Sequence, residues 1–90
     1  MKTKTKELPK WFNGSHYSDG DTVTNPFSGE SCELNGTELS MYDFIKGAEY
    51  IVNQDYTANT EGTRETMKDL RKGLDWFRKN NAKAYMTLLD

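Results

Sequence analysis

The chain contains very few of the residues from which β-sheets are built. Among its 90 residues, the β-branched aliphatic side chains are Val23, Ile45, Ile51 and Val52. These side chains suit the pleated, half-buried surface of a strand, so their scarcity excludes an extensive sheet. We therefore expect two or three short strands, with the other ordered residues in helices. Apolar residues make up 34% of the chain, enough for one small core and a single domain.

Turn-forming residues place the expected strands in the first third of the chain. Residues 10–17 (KWFNGSHY) carry Asn13-Gly14 at their centre. This dipeptide suits a two-residue hairpin turn because both central residues take a positive φ. Residues 22–34 (TVTNPFSGESCEL) predict a second hairpin, whose turn NPFSG has a proline to set φ and a glycine to tolerate a positive φ.

Three independent signals predict that a helix begins after Leu34. Asn35 is a favourable N-cap, Glu38 stands three residues later as in a capping box, and Leu34 and Leu39 occupy the two positions of a hydrophobic staple. The next 19 residues lack proline, which predicts a helix over residues 36–54. The apolar side chains that fall within one arc of about 120° on this helix are Met41, Phe44, Ile45, Ala48, Ile51 and Val52.

A second amphipathic helix is predicted over residues 63–79, after a polar connector at residues 55–62. Its apolar stripe consists of Met67, Leu70, Leu74 and Phe77. Gly73 within it lowers helix stability and indicates close backbone packing. Asn80-Asn81 indicates a break, followed by a short helix over residues 82–89 whose core-facing residues are Tyr85, Leu88 and Leu89.

Together these elements predict an α+β fold. A short N-terminal β-hairpin region packs against an antiparallel helix pair, and a short C-terminal helix completes the domain. We expect residues 1–90 to form this one domain, with residues 1–9 as a flexible basic tail. Formal charge alternates along the chain, being +3 over residues 1–12, −8 over residues 13–61 and +4 over residues 62–84.

The residue content argues against catalysis and against bound cofactors. The chain has one histidine, His16, and one cysteine, Cys32, which excludes a zinc site built from these residue types within one chain. A Cys–His pair in the hairpin region lacks a third, orienting partner. We therefore expect no enzyme activity, with His16 at the surface and Cys32 packed as a small apolar residue. No apolar run reaches the roughly 20 residues of a membrane helix, and no signal peptide is expected.

Two surfaces are candidates for binding. The candidate partner surface lies on the first helix, outside its main apolar arc, and consists of Leu39, Tyr42 and Tyr50. This surface predicts one of two arrangements. It forms the subunit contact of a homodimer, or it is buried under an N-terminal hairpin that carries Trp11, Phe12 and Phe27. The candidate nucleic-acid surface lies on the second helix and consists of Arg64, Lys68, Arg71, Lys72, Arg78 and Lys79, with Trp76 beside them.

A basic face beside an aromatic ring is typical of phosphate contact combined with base stacking. The alternative is a solvated face that complements the acidic middle of the chain, with Trp76 packed under the C-terminal segment.

A resemblance to known proteins is carried by residues 11–49 (WFNGSHYSDGDTVTNPFSGESCELNGTELSMYDFIKGAE) and residues 70–85 (LRKGLDWFRKNNAKAY). These stretches cover about 60% of the chain. They resemble small proteins of unassigned function from tailed phages of marine cyanobacteria and related marine bacteria. The resemblance implies a phage origin, synthesis in the host cytoplasm and an accessory role, and it assigns no catalytic or binding residue.

We therefore expect a non-enzymatic interaction protein of cytoplasmic location, without cofactor, metal or membrane contact, that binds a phage or host protein and self-associates. The alternative is a weak nucleic-acid binder that uses the basic face of helix 63–79 with Trp76.

Overall fold

The computed structural model describes residues 8–12, 14–54 and 61–89. In chain order, its elements are strand β1 (Asp21–Thr24), strand β2 (Ser31–Leu34), helix α1 (Gly36–Gln54), helix α2 (Glu61–Asn80), the short helix α3 (Ala82–Ala84) and a π-helical turn (Tyr85–Leu89). The fold is the predicted α+β architecture. Most of the predicted connector 55–62 lies outside the described residues, as does the predicted basic tail except for Leu8 and Pro9, which are half-buried.

Strands β1 and β2 form the second of the two predicted hairpins. They pair antiparallel, with Asp21 opposite Leu34 and Thr24 opposite Ser31. Gly29 in the connecting turn has a φ of 80°, the left-handed conformation that glycine adopts without strain. The prediction of a glycine-dependent turn between these strands is confirmed.

The hairpin predicted around Asn13-Gly14 is wrong. The described residues on either side of Asn13 form no strand, and the amide of Phe12 instead donates a hydrogen bond to the carbonyl of Pro9. The physical reason is aromatic packing. The rings of Trp11 and Phe12 both lie against Phe44 of α1, with centroids 5.7 and 5.4 Å from it. Consecutive residues of a strand point to opposite faces, so a strand could not bring both rings to one helix.

Helix α1 begins as its sequence predicts. The amide of Asn35 donates to Oε1 of Glu38 at 3.0 Å, and the amide of Glu38 donates to Oδ1 of Asn35 at 2.8 Å. This reciprocal pair is a capping box, and it satisfies amides that have no partner within the helix. Leu34 is buried in the core and Leu39 packs against it, as expected of a hydrophobic staple.

Helices α1 and α2 pack against each other and run antiparallel. Gly73, in the C-terminal half of α2, faces Met41 and Ile45 in the N-terminal half of α1. The missing side chain at Gly73 allows this close approach, as the sequence indicated. The residues that form the buried apolar core are Phe12, Leu34, Met41, Ile45, Ala48, Phe77, Ala84 and Leu88.

Ile51 belongs to the predicted apolar arc, yet its side chain is 50% exposed. It lies two helical turns beyond Phe44 on the same edge of α1. Trp11 and Phe12 cover that edge at Phe44, and Tyr17 covers it at Ser40.

The C-terminal segment joins the hairpin to the helices through side-chain amides. Asn81 ends α2 and caps α3, because its Oδ1 accepts a hydrogen bond from the amide of Ala84 at 3.1 Å. Its Nδ2 donates to Oε2 of Glu38 at 3.1 Å, which links it to the start of α1. In the hairpin turn, Nδ2 of Asn25 donates to the carbonyl of Thr87 at 3.0 Å. The position of the hairpin relative to the C-terminal segment is therefore held by a specific polar contact.

Candidate protein-interaction surface

The structure does not bring the candidate partner surface together as one exposed patch. Leu39 and Tyr42 are half-buried and pack against the core, whereas Tyr50 is 66% exposed. Residues from the N-terminal segment contact α1 at Ser40, Asp43 and Phe44. The amide of Tyr17 donates to Oγ of Ser40 at 2.8 Å.

The alternative, in which Trp11, Phe12 and Phe27 cover the Tyr42 side of this helix, is wrong for Phe27. Trp11 and Phe12 contact Phe44, which belongs to the main apolar arc and not to the side that carries Leu39, Tyr42 and Tyr50. Both Trp11 and Phe12 pack against α1, whereas Phe27 is 96% exposed. Phe27 sits in the turn between β1 and β2, at the opposite end of the hairpin from Leu34, the last residue of β2 before α1. A residue at that place has no strand face from which to reach the helix.

The carboxyl group of Asp43 lies beside the hydroxyl of Tyr17. The hydroxyl donates to Oδ2 of Asp43 at 3.2 Å. The negative charge of Asp43 raises the pKa of Tyr17 above its ordinary value, and desolvation acts in the same direction. This contact attaches the segment before β1 to the second turn of α1.

The candidate nucleic-acid surface keeps its basic residues exposed on α2, but not its aromatic residue. Trp76 is half-buried and packs against the core, with its ring 6.2 Å from that of Phe77. A different indole lies beside the basic face. Nζ of Lys72 stands 5.6 Å from the ring centroid of Trp11, within the range of a cation–π contact.

Part of the basic face is neutralised within its own helix. Asp75 accepts Arg78 at 2.9 Å and Lys79 at 3.2 Å. The hydrogen bond from Lys79 lowers the pKa of Asp75 below its ordinary value, and Arg78 reinforces the effect. Among the described residues, Lys68 and Arg71 form no ion pair with the acidic residues of the hairpin or of α1.

The tip of the hairpin presents an apolar side chain that the sequence analysis did not select. Phe27 is 96% exposed, yet its backbone is held in a hydrogen-bonded turn. Oδ1 of Asn25 accepts the amide of Phe27 at 2.8 Å, and the carbonyl of Asn25 accepts the amide of Gly29 at 2.8 Å. The signal in the sequence was a large aromatic residue at the centre of a Pro–Gly turn, where no strand face can direct it into the core.

One carboxylate, that of Glu30, adjoins the turn that carries Phe27, and a second exposed apolar side chain lies in the C-terminal segment to which the turn is bonded. The hairpin region over residues 19–34 carries no lysine or arginine and four carboxylates, of which Asp19, Asp21 and Glu33 lie toward the end of the hairpin opposite the turn and Glu30 lies next to the turn. Met86, which is 66% exposed, directly precedes the residue whose carbonyl accepts Asn25. The hairpin tip therefore combines an aromatic anchor with negative charge.

A shallow depression of about 240 Å³ lies between α2 and the C-terminal turn. Its lining residues are Arg71, Leu74, Asp75, Arg78 and Tyr85. Leu74 and Tyr85 pack against the core and supply an apolar floor, while the two arginines are exposed at the rim. This combination suits an apolar group carried by a negatively charged partner.

The two side chains considered for catalysis, His16 and Cys32, have different surroundings. His16 is exposed and its ring packs edge-on against Phe12, whereas Cys32 is half-buried and packs against the core. Within residues 8–12, 14–54 and 61–89, no cluster of three His, Cys, Asp or Glu residues could hold a metal ion. Of the helices in these ranges, none has the length and apolar content to cross a membrane.

Comparison of the chain with family models, curated proteins and solved structures finds no match.

Proposed function

We propose that the protein is a non-enzymatic interaction module and that Phe27 is the side chain that anchors its partner. The observation that carries the proposal is the 96% exposure of Phe27 on a turn held by its own hydrogen bonds. Burying a phenylalanine side chain is worth about 1.5–3 kcal/mol, which this chain forgoes in a core with few apolar residues. Aromatic residues of this kind supply much of the binding energy of protein interfaces.

The rigidity of the turn supports a binding role further. Asn25 accepts hydrogen bonds from the amides of Phe27 and Gly29 and donates one to the carbonyl of Thr87, so the turn is attached to the rest of the domain. A partner that meets a pre-organised side chain loses less conformational entropy on binding. From the resemblance over residues 11–49 and 70–85, we propose that this module serves as a phage accessory protein in the host cytoplasm.

Site-specific photo-crosslinking tests the proposal. The photoreactive residue p-benzoylphenylalanine replaces Phe27 in one variant and Tyr50, the matched exposed aromatic on α1, in another. In lysate of the source cells, we expect a discrete adduct at position 27 that excess unmodified protein suppresses. A discrete adduct at position 50 only, or the same diffuse background at both positions, would overturn the assignment of Phe27.

A second candidate function, weak nucleic-acid binding, is favoured by the exposed Lys68 and Arg71 and by the stacking of Lys72 on Trp11. Phosphate contacts make affinity fall steeply with salt concentration. Lys68→Glu should then weaken binding to single-stranded DNA and reduce the slope of log K against log salt by about 1. Phe27→Ala is the matched control and should leave this binding unchanged. Fluorescence anisotropy at several salt concentrations distinguishes this function from the first.

A further inference from the structure

We infer that the partner of the Phe27 tip is a second copy of this chain, in a two-fold dimer. In this dimer, Phe27 of each protomer enters the depression bounded by Arg71, Leu74, Arg78 and Tyr85 on the other. The inference rests on the proposed function, since it takes Phe27 as the binding anchor. It adds the identity of the partner and the surface that receives the ring.

The depression and the ring match in size and in polarity. A cavity of about 150 Å³ lined by apolar side chains holds benzene. The depression measures about 240 Å³ and is floored by Leu74 and Tyr85, so it can accept a phenyl group. Edge-to-face contact between the rings of Tyr85 and Phe27 is a favourable arrangement for an aromatic pair.

The charges around the ring and around the depression are opposite in sign. Glu30 follows the turn that carries Phe27 and is exposed. Arg71 and Arg78 are exposed at the rim of the depression. Asp75 forms an ion pair with Arg78, whereas no described ion pair joins it to Arg71. Arg71 is therefore available to the hairpin carboxylates of a second copy. The acidic residues of α1 and β2 would repel the same hairpin, so charge favours docking at the depression over docking at α1 or β2.

The positions of the two contact sites permit a closed dimer. Tyr85 lines the depression, and the carbonyl of Thr87 accepts Asn25 from the turn that carries Phe27. The turn that carries the ring and the depression thus both adjoin the same C-terminal segment, which also carries the exposed Met86. A two-fold axis near Met86 brings each ring to the other protomer's depression, so both contacts form at once. Two such contacts are smaller than a standard stable interface, so we expect micromolar affinity.

Analytical ultracentrifugation of the full chain tests the inference. The wild type should change from 10.4 kDa to twice that mass as its concentration rises through the micromolar range. Phe27→Ala should weaken the dimer by about 30-fold or more, as expected for loss of an interface hot spot. Tyr50→Ala removes an equally accessible aromatic outside the contact and should leave the dimer unchanged. The thermal unfolding midpoint of the Phe27→Ala monomer should match that of the wild-type monomer.

A charge exchange tests the proposed pairing directly. Arg71→Glu and Glu30→Arg should each weaken the dimer by about tenfold, and the double variant should regain most of the loss because the pair is re-formed in reverse. Additive losses in the double variant, a wild type that stays monomeric, or a dimer lost on Tyr50→Ala would overturn the inference. An adduct from position 27 to a different protein, with a monomeric wild type, would overturn the dimer and leave the proposed function intact. Absence of any discrete adduct at position 27 would overturn both.

Discussion

Of the four glycines in the long helices, Gly47 and Gly73 lie away from the helix ends, and their surroundings are opposite. A Cβ atom built at Gly47 of α1 meets nothing within 4 Å, whereas at Gly73 of α2 it would stand 3.1 Å from Cγ1 of Ile45 and 3.3 Å from Sδ of Met41. Both neighbours of Gly73 are fully buried. In a close-packed core they cannot give way without displacing other atoms. Alanine should therefore stabilise the protein at position 47 and destabilise it at position 73.

The size of the effect follows from two opposing terms. Helices prefer alanine to glycine by about 1 kcal/mol, so Gly47→Ala should raise the free energy of unfolding by about that amount. Forcing an extra methyl into a packed core costs about 1–3 kcal/mol, so Gly73→Ala should lower the free energy of unfolding by up to about 2 kcal/mol. Because the helix preference is common to both variants, the difference between them measures the packing at Gly73.

Thermal and urea denaturation followed by circular dichroism provide the assay. For a domain of this size, 1 kcal/mol corresponds to about 4–8 °C in the unfolding midpoint, so the two variants should move in opposite directions by measurable amounts. Equal urea m-values would show that both variants unfold from the same compact state. If Gly73→Ala stabilised the protein as much as Gly47→Ala, the close contact between α1 and α2 described above would be refuted.

Two further predictions concern single polar contacts. Glu38→Ala should lower the free energy of unfolding by about 2 kcal/mol, because the Glu38 carboxylate accepts hydrogen bonds from both Asn35 and Asn81. Glu38→Gln keeps one acceptor oxygen and should lower the free energy of unfolding by about half as much. Urea denaturation measures both effects. Asp43→Asn should lower the pKa of Tyr17, measured by the difference in tyrosinate absorbance from a Tyr17→Phe control. Since the pKa of Tyr17 is raised on folding, the protonated hydroxyl stabilises the folded state below pH 10.0, and this stabilisation is lost as the pH rises through the pKa of the folded state. Asp43→Asn should reduce this loss of stability at alkaline pH.

Elements specified by neighbouring residues could be predicted from the sequence. The start of α1 depends on Leu34, Asn35 and Glu38, which act within one turn of chain, and the structure contains their capping box. The turn at Gly29 likewise depends on a local φ preference. The prediction of a hairpin at Asn13-Gly14 was wrong because that segment is not specified by its neighbouring residues alone. A local turn preference was outweighed by the packing of distant aromatic residues, which a single sequence does not display.

The binding surfaces were harder to predict because periodicity indicates which side of a helix is apolar but not what covers it. The position of Leu39 and Tyr42 outside the main apolar arc left both a subunit contact and burial within the chain open, and the two side chains are half-buried against the core. Trp76 looked like a partner for the basic residues of α2, whereas Trp11, distant in sequence, is the indole beside Lys72. Phe27 was expected to cover the first helix together with Trp11 and Phe12, because the aromatic character of a turn residue does not show whether the turn directs its side chain to the core or to solvent.

Exposure alone does not distinguish Phe27 from other exposed apolar residues, since single apolar side chains are common on protein surfaces. Ile51 is 50% exposed in the last turn of α1, and helix ends fray. Phe27 differs because several hydrogen bonds hold its turn, and one of them connects Asn25 to the carbonyl of Thr87, 62 residues away. A chain with a small apolar content thus holds a phenylalanine in water on a turn that is bonded to the C-terminal segment. The simplest physical reason for such an arrangement is a partner that buries the ring, and the arginine-rimmed depression beside Tyr85 provides one when a second copy is present.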